Sequence, residues 1–127
     1  MTVVQDLLAM QTWAVVGLSD NRSRAAWDVA LFLQRKGKRI VPVHPRACEV
    51  HGEPGYPTLL DIPFPVDVVD CFVRSSLVGP VVDAAIAVGA QGIWMQLDVV
   101  DLQAAERAEA AGLHVVMDVC PKIEWRD

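Results

Sequence analysis

The sequence predicts an α/β fold, with a parallel sheet covered by helices on both faces. Three observations carry that expectation. Apolar runs of strand length alternate with helical patterns along the 127-residue chain, and strand–helix–strand alternation specifies parallel pairing. Runs such as Ile40-Val41-Pro42-Val43 and Val66-Asp67-Val68-Val69 are mostly apolar on both sides, as a sheet buried on both faces requires. The run Trp13-Ala14-Val15-Val16 ends in Gly17 and a small polar loop, and a helical pattern follows. That is where mononucleotide-binding sheets hold phosphate. Together they predict a Rossmann-like three-layer α/β/α sandwich with a five-stranded parallel sheet and right-handed crossovers.

The elements follow in order. Residues 2–10 predict a leading helix and Thr12–Val16 the first strand. Residues 26–36 carry a helical pattern that stops at Gly37. Arg39–Val43 is the second strand, and Pro42 inside it points to a sheet edge or a strand end, because proline cannot donate to a ladder. Pro45, Gly52, Pro54, Gly55 and Pro57 punctuate a long loop, and residues 58–61 suit one helical turn. Residues 66–72 are the third strand, 80–88 a helix ending at Gly89, and 92–96 the fourth strand. Residues 101–111 form a helix with Asp101 as N-cap and Gly112 just past its end. Residues 114–117 are the fifth strand and 120–127 a tail. No linker or internal repeat divides the chain, so residues 1–127 are expected to be one domain.

Composition narrows the function classes. A chain that is 53% hydrophobic and 21% charged reads as globular and well buried. No apolar run reaches the ~18 residues of a membrane span, and the first residues carry no basic segment of a signal peptide. The expected location is the cytoplasm. Cys48, Cys71 and Cys120 form no C-x-x-C pair, so neither a disulfide framework nor a zinc site is expected. The net charge of −5 argues against nucleic acid as the main partner.

The strand ends carry the chemistry, because ligands of open parallel sheets sit at the carboxyl ends of the strands. In the first loop Gly17 permits a tight turn, Ser19 offers a hydroxyl, and the amides opening the next helix face an anion. Arg22 and Arg24 supply charge, and arginine bonds phosphate bidentately. The competing reading is an ordinary polar loop with solvated arginines. The second strand end discriminates better. NAD-binding domains place an acid there, about 20 residues after the glycine loop, to bond the ribose 2′-hydroxyl. Here the strand ends in Val43-His44-Pro45-Arg46, and the next acid is Glu49. That suits a ribose carrying an extra phosphate, and coenzyme A and NADP both fit.

The segments Ala14-Val15-Val16-Gly17-Leu18-Ser19, Val41-Pro42-Val43-His44-Pro45, Asp67-Val68-Val69-Asp70-Cys71-Phe72, Gly92-Ile93-Trp94-Met95-Gln96-Leu97 and Asp118-Val119-Cys120-Pro121-Lys122 occur in an order that resembles one family. It is that of the small stand-alone CoA-binding proteins, which are similar to the CoA-binding domain of the succinyl-CoA synthetase α subunit. The resemblance runs from residue 12 to residue 124. It implies that Gly17, Leu18, Ser19 and Arg24 lie at the phosphates. It puts Val43, His44, Pro45 and Arg46 near the adenosine moiety, and Phe72, Arg74 and Gln96 along a pantetheine arm. The implied ligand is coenzyme A or an acyl-CoA, with NADP behind it. The chain departs from the family pattern at five places. His44 replaces Asn, Ala26 replaces Ser, Val73 replaces Arg, Asp98 replaces Gly and Val119 replaces Arg. Ala26 removes a donor at the helix start, Val73 removes a cation, and Asp98 adds a negative charge near an anion site.

Other residues compete for a role. Cys120 beside Lys122 suits a reactive thiol, set against a half-buried structural cysteine. Cys71 reads as core, and Cys48 as a loop residue. His44, His51 and His114 show no metal spacing, and His114 reads as a surface residue. Trp94 reads as packing rather than stacking. Asp67, Asp70 and Asp118 show no acid–base spacing. No G-x-S-x-G, P-loop or H-E-x-x-H is present. The expected function is therefore non-catalytic binding of a nucleotide. The alternatives are an NAD(P)-dependent redox enzyme or sensor, an acyl-thioester enzyme acting through Cys120, and a regulatory subunit docked on a partner. An exposed Trp125 or an open edge strand would suit a homodimer.

Overall fold

The computed structural model describes residues 2–126. Strands β1 (Thr12–Val16), β2 (Arg39–Val43), β3 (Val68–Cys71), β4 (Gly92–Met95) and β5 (His114–Val116) form one sheet in the order β2-β1-β3-β4-β5. Every neighbouring pair is parallel. The helices are α1 (Val3–Leu8), α2 (Ala25–Arg35), α3 (Val78–Ala87), α4 (Leu102–Ala110) and α5 (Pro121–Glu124). This is the α/β Rossmann-like fold expected, in a doubly wound strand order whose switch point lies between β1 and β3.

Strand alternation divides the core into two layers, since successive side chains point to opposite faces. Ala14, Val69, Cys71, Ile93 and Met95 pack with Val78, Val82 and Ala85 of α3 and Ala104 and Ala108 of α4. Trp13, Val15, Val68 and Trp94 pack with Leu7 and Leu8 of α1 and Val29, Ala30 and Leu33 of α2. Trp13 and Trp94 lie with ring centroids 5.5 Å apart. Each indole N–H donates to a backbone carbonyl, Trp13 to Met10 at 3.0 Å and Trp94 to Val119 at 2.8 Å. Trp94 is thus packing, and Cys71 is core, as expected.

Local chemistry sets the element ends. Thr2 caps α1 through its hydroxyl, which accepts from the Gln5 amide at 3.1 Å. That helix ends at Leu8, two residues short of the expectation. Asp67 is spent before β3 begins. One carboxylate oxygen accepts from the amides of Gln11 and Thr12, at 3.2 and 2.9 Å, and the other from the Gln91 side chain at 2.9 Å. Asp67 therefore ties together the amino ends of β1 and β4, far from any strand-end site. Pro42 lies on an edge strand, as proline requires. Tyr56 returns beside that edge, donating its amide to Pro42 at 3.0 Å and accepting from the His44 amide at 3.1 Å.

The expected tail is instead α5. Pro121 opens it, where a missing N–H costs nothing, and Lys122 meets Asp28 of α2 at 2.7 Å. Trp125, whose exposure would have suited a homodimer, is not exposed. It is half-buried and stands edge-on to Phe32, with centroids 5.8 Å apart.

Candidate functional site: a groove at the strand carboxyl ends

The sheet's carboxyl edge opens into a groove of about 980 Å³, at the upper end of the ~300–1,000 Å³ typical of small-molecule sites. Its floor is the switch point. Gly17 leaves β1 at φ +100°, and a Cβ there would overlap the Phe72 carbonyl oxygen. Its amide donates to the Val43 carbonyl at 2.8 Å, and the Phe72 amide donates to Val16 at 2.9 Å. Glycine is required here on two counts, a left-handed backbone and a close approach.

The β1–α2 loop is built by its own side chains. The Ser19 hydroxyl accepts from the Asn21 amide at 3.2 Å, and Asn21 Oδ1 accepts from both the amide and the hydroxyl of Ser23. Ser19 is buried, and among the described residues its hydroxyl donates to no acceptor. Helix α2 then starts with Arg24 as N-cap, which has no side-chain acceptor for the first amides. The opening amides of α2, next to the groove-lining Ala25 and Ala26, therefore lack the side-chain cap that most helices carry.

The groove contains most of the expected site residues. Gly17, Ser19, Arg24, Val43, His44, Pro45, Arg46, Phe72, Arg74 and Gln96 all line it. Leu18 does not. Its side chain is fully buried among the α2 layer, beneath the loop, and only its backbone faces the turn. Arg22 also turns away and lies 5.6 Å over the Trp27 ring. Three of the family departures, His44, Ala26 and Val73, line the groove, whereas Asp98 and Val119 do not. Asp98 is therefore not a charge lining the groove. It adopts φ +68°, and that left-handed backbone is the physical reason for glycine at this position.

Charge is sorted sharply. Three arginines and His44 line the groove, and no aspartate or glutamate does, although the chain as a whole carries −5. Arg46 meets Asp20 at 3.8 Å, and both are exposed, so the pair is weak. Among the described residues Arg24 and Arg74 have no acidic partner. Part of the groove wall is apolar. Leu60, Leu77 and Leu97 are more than half exposed at its rim, with Val81, Ala84 and Val99 behind them.

Sequence reasoning missed that apolar wall. Its three leucines stand in separate segments, two of them in 3-10 turns (Leu59–Asp61 and Ser75–Leu77). Cys120 also lines the groove, at 9% exposure. Asp70 was noted but given no role. It is fully buried in β3 and accepts a short hydrogen bond from the Gln96 side-chain nitrogen, while its second oxygen has no partner. Burial pushes its carboxyl up to about 8. The neighbouring Cys71 thiol is also pushed up, by burial first and by Asp70 second.

A 2-1-3-4-5 parallel sheet with a basic, acid-free groove at its switch point is the architecture of the nucleotide-binding α/β class. The chain belongs to the CoA binding domain family, whose model matches residues 11–126. It is 34% identical over 110 residues to the uncharacterized protein YneT of Bacillus subtilis, covering 87% of this chain and 82% of that one. A hypothetical protein from Pyrococcus horikoshii OT3 superposes with a TM-score of 0.92 at 35% identity, covering 98% of this chain and 89% of that one. The dinucleotide-forming acetyl-coenzyme A synthetase 1 of Ca. Korarchaeum cryptofilum shares the fold at a TM-score of 0.79 and 24% identity. That match covers 91% of this chain and 28% of the synthetase. Among the described residues no helix is long and apolar enough to cross a membrane, and no cluster of metal-ligating side chains is found.

Proposed function

We propose that this protein binds coenzyme A or an acyl-CoA in the strand-end groove and performs no chemistry on it. The observation that carries the reading is the sorting of charge, with three arginines and no acid lining one groove of an acidic chain. The diphosphate lies at Gly17, Ser19 and Arg24, against the uncapped amides of α2. The adenosine and its 3′-phosphate lie at Val43, His44, Pro45 and Arg46. The pantetheine arm runs past Phe72, Arg74 and Gln96 toward Leu60, Leu77 and Leu97, where a hydrocarbon acyl group finds apolar walls. Membership of the CoA binding domain family supports this choice of ligand. The missing carboxylate at the second strand end speaks against NAD, whose ribose needs one. Cys120 is buried, and an inert structural thiol fits that position better than a nucleophile does.

Calorimetry with CoA, dephospho-CoA, acetyl-CoA, NAD and NADP tests the reading. CoA is expected to bind at least tenfold more tightly than dephospho-CoA, the equivalent of about 1.4 kcal/mol for one charge-assisted contact. Tight binding of NAD with none of CoA would sink it. Turnover of acetyl-CoA that Cys120→Ser abolishes would replace it with an enzymatic role.

A further inference from the structure

The buried Asp70 has no part in the binding scheme so far, yet it is an expensive residue to keep. It sits in a central strand with zero exposure, in register with Val15 of β1 and Trp94 of β4. Its side chain shares the layer of Val68, Leu18 and Trp94, away from the Cys71 side of the strand. Its only polar partner is Gln96, two residues beyond Trp94 and itself buried at the groove floor. A carboxyl in apolar surroundings costs several kcal/mol if ionised, and a valine there would pack without cost.

The direction of the one hydrogen bond is informative. Gln96 donates its Nε2 inward to Asp70 Oδ1. Among the described residues its carbonyl Oε1 has no partner, and it is not among the sealed, unpartnered atoms, of which Asp70 Oδ2 is the sole example there. An amide pinned by its nitrogen presents its oxygen. We infer that Asp70 is a positioning residue: it holds the Gln96 amide with Oε1 turned to the groove, as the acceptor for an amide N–H of the ligand's pantetheine arm. This rests on the coenzyme A reading for the identity of the donor, while the Asp70–Gln96 lock stands on the protein alone. The lock does not depend on charge. A neutral carboxylic acid keeps a carbonyl oxygen that accepts from Nε2, with its proton on the partnerless Oδ2. In the same layer, Cys120 is the one other buried titratable group among the described residues; Val15, Trp94 and Leu18 from the facing elements carry no charge.

The test compares two ligands and two substitutions. Adenosine 3′,5′-bisphosphate carries the nucleotide end of CoA without the arm. Asp70→Val removes the acceptor, and Asp70→Asn restores one in the same place. Asp70→Val is expected to weaken CoA about tenfold and to leave the bisphosphate unchanged, while Asp70→Asn binds both as the native protein does. If Asp70→Val shifts both ligands equally or neither, the positioning role is wrong although CoA still binds. If the native protein binds neither ligand, the coenzyme A reading and the arm contact fall together. NMR of the ligand-free native protein reads the lock separately. The Gln96 side-chain amide is expected to exchange slowly and to move downfield as pH rises through the Asp70 titration, with no such shift in Asp70→Asn. A fast-exchanging, pH-insensitive Gln96 amide overturns the lock.

Discussion

Two aspartates show how a single residue is constrained by backbone rather than by chemistry. Asp98 and Asp118 adopt φ +68° and +61°, and Asp118 Oδ1 accepts from the Asp98 amide at 2.7 Å. Ser75 joins them, donating to the Asp98 carbonyl at 3.2 Å and accepting from Val100 at 2.9 Å. The Asp98 side chain takes no part in this net, so Asp98→Gly keeps every bond and relieves the left-handed backbone. Urea unfolding should show a gain of roughly 0.5–1 kcal/mol, with CoA affinity unchanged. Asp70 gives the opposite case, a residue constrained by its surroundings. Burial raises its folded pKa to about 8 from the ordinary carboxyl value of 3.8. Below about pH 4 the folded and unfolded chains both hold the proton, and Asp70 leaves stability intact. As pH rises the unfolded chain releases that proton first, so stability falls until the folded group also titrates near 8. Unfolding at pH 5 and pH 8.5 should differ by more than about 1.4 kcal/mol, one unit's equivalent, and Asp70→Asn should flatten the difference. An equal dependence in that variant would assign the loss to other groups.

Among the α-helices, α2, α3 and α5 start without a side-chain capping bond, and α2 alone of these opens on an arginine. A helix start ordinarily carries Ser, Thr, Asp or Asn, and here Arg24 stands at that point with no capping bond. Arg24→Ser should therefore raise the stability of the ligand-free protein by about 1 kcal/mol and weaken CoA binding, two measurements moving in opposite directions. A loss of both stability and binding would mean that Arg24 serves the fold. Elements of this kind were legible in the sequence because their signals are local. Asp101 does cap α4, accepting from Ala104 at 3.0 Å, and Gly17 turns where the loop demanded it. The tail was not legible. Helix α5 has four residues, too few for a periodic pattern, and its anchors are the distant Asp28 and Phe32. The binding loops were read through their polar residues, whereas Leu60, Leu77 and Leu97 meet only through the fold. The Leu18 side chain lies outside the groove for the same reason, since a loop position does not reveal which side chains turn inward.

At the scale of the whole molecule, the strand order brings the segments after all five strands to one edge and concentrates positive charge where the chain is otherwise acidic. The cations need not outweigh the net charge. They need only lie closer to the ligand than the acids do, because screening in salt shortens the reach of the distant charges to about 10 Å at 0.1 M. Near contacts with Arg24, Arg46 and Arg74 weaken with added salt, while the repulsion from distant carboxylates weakens faster. CoA affinity should thus change little at very low salt and fall by roughly tenfold toward 1 M, where the screening length is about 3 Å. Dephospho-CoA, with one phosphate fewer to engage His44 and Arg46, should show a shallower fall over the same range. Calorimetric titrations of both ligands at several salt concentrations read the two slopes. Equal slopes would remove the second strand end from the phosphate contacts, and a salt-independent CoA affinity would leave the arginines as solvated bystanders and put the binding free energy in the apolar wall of the groove.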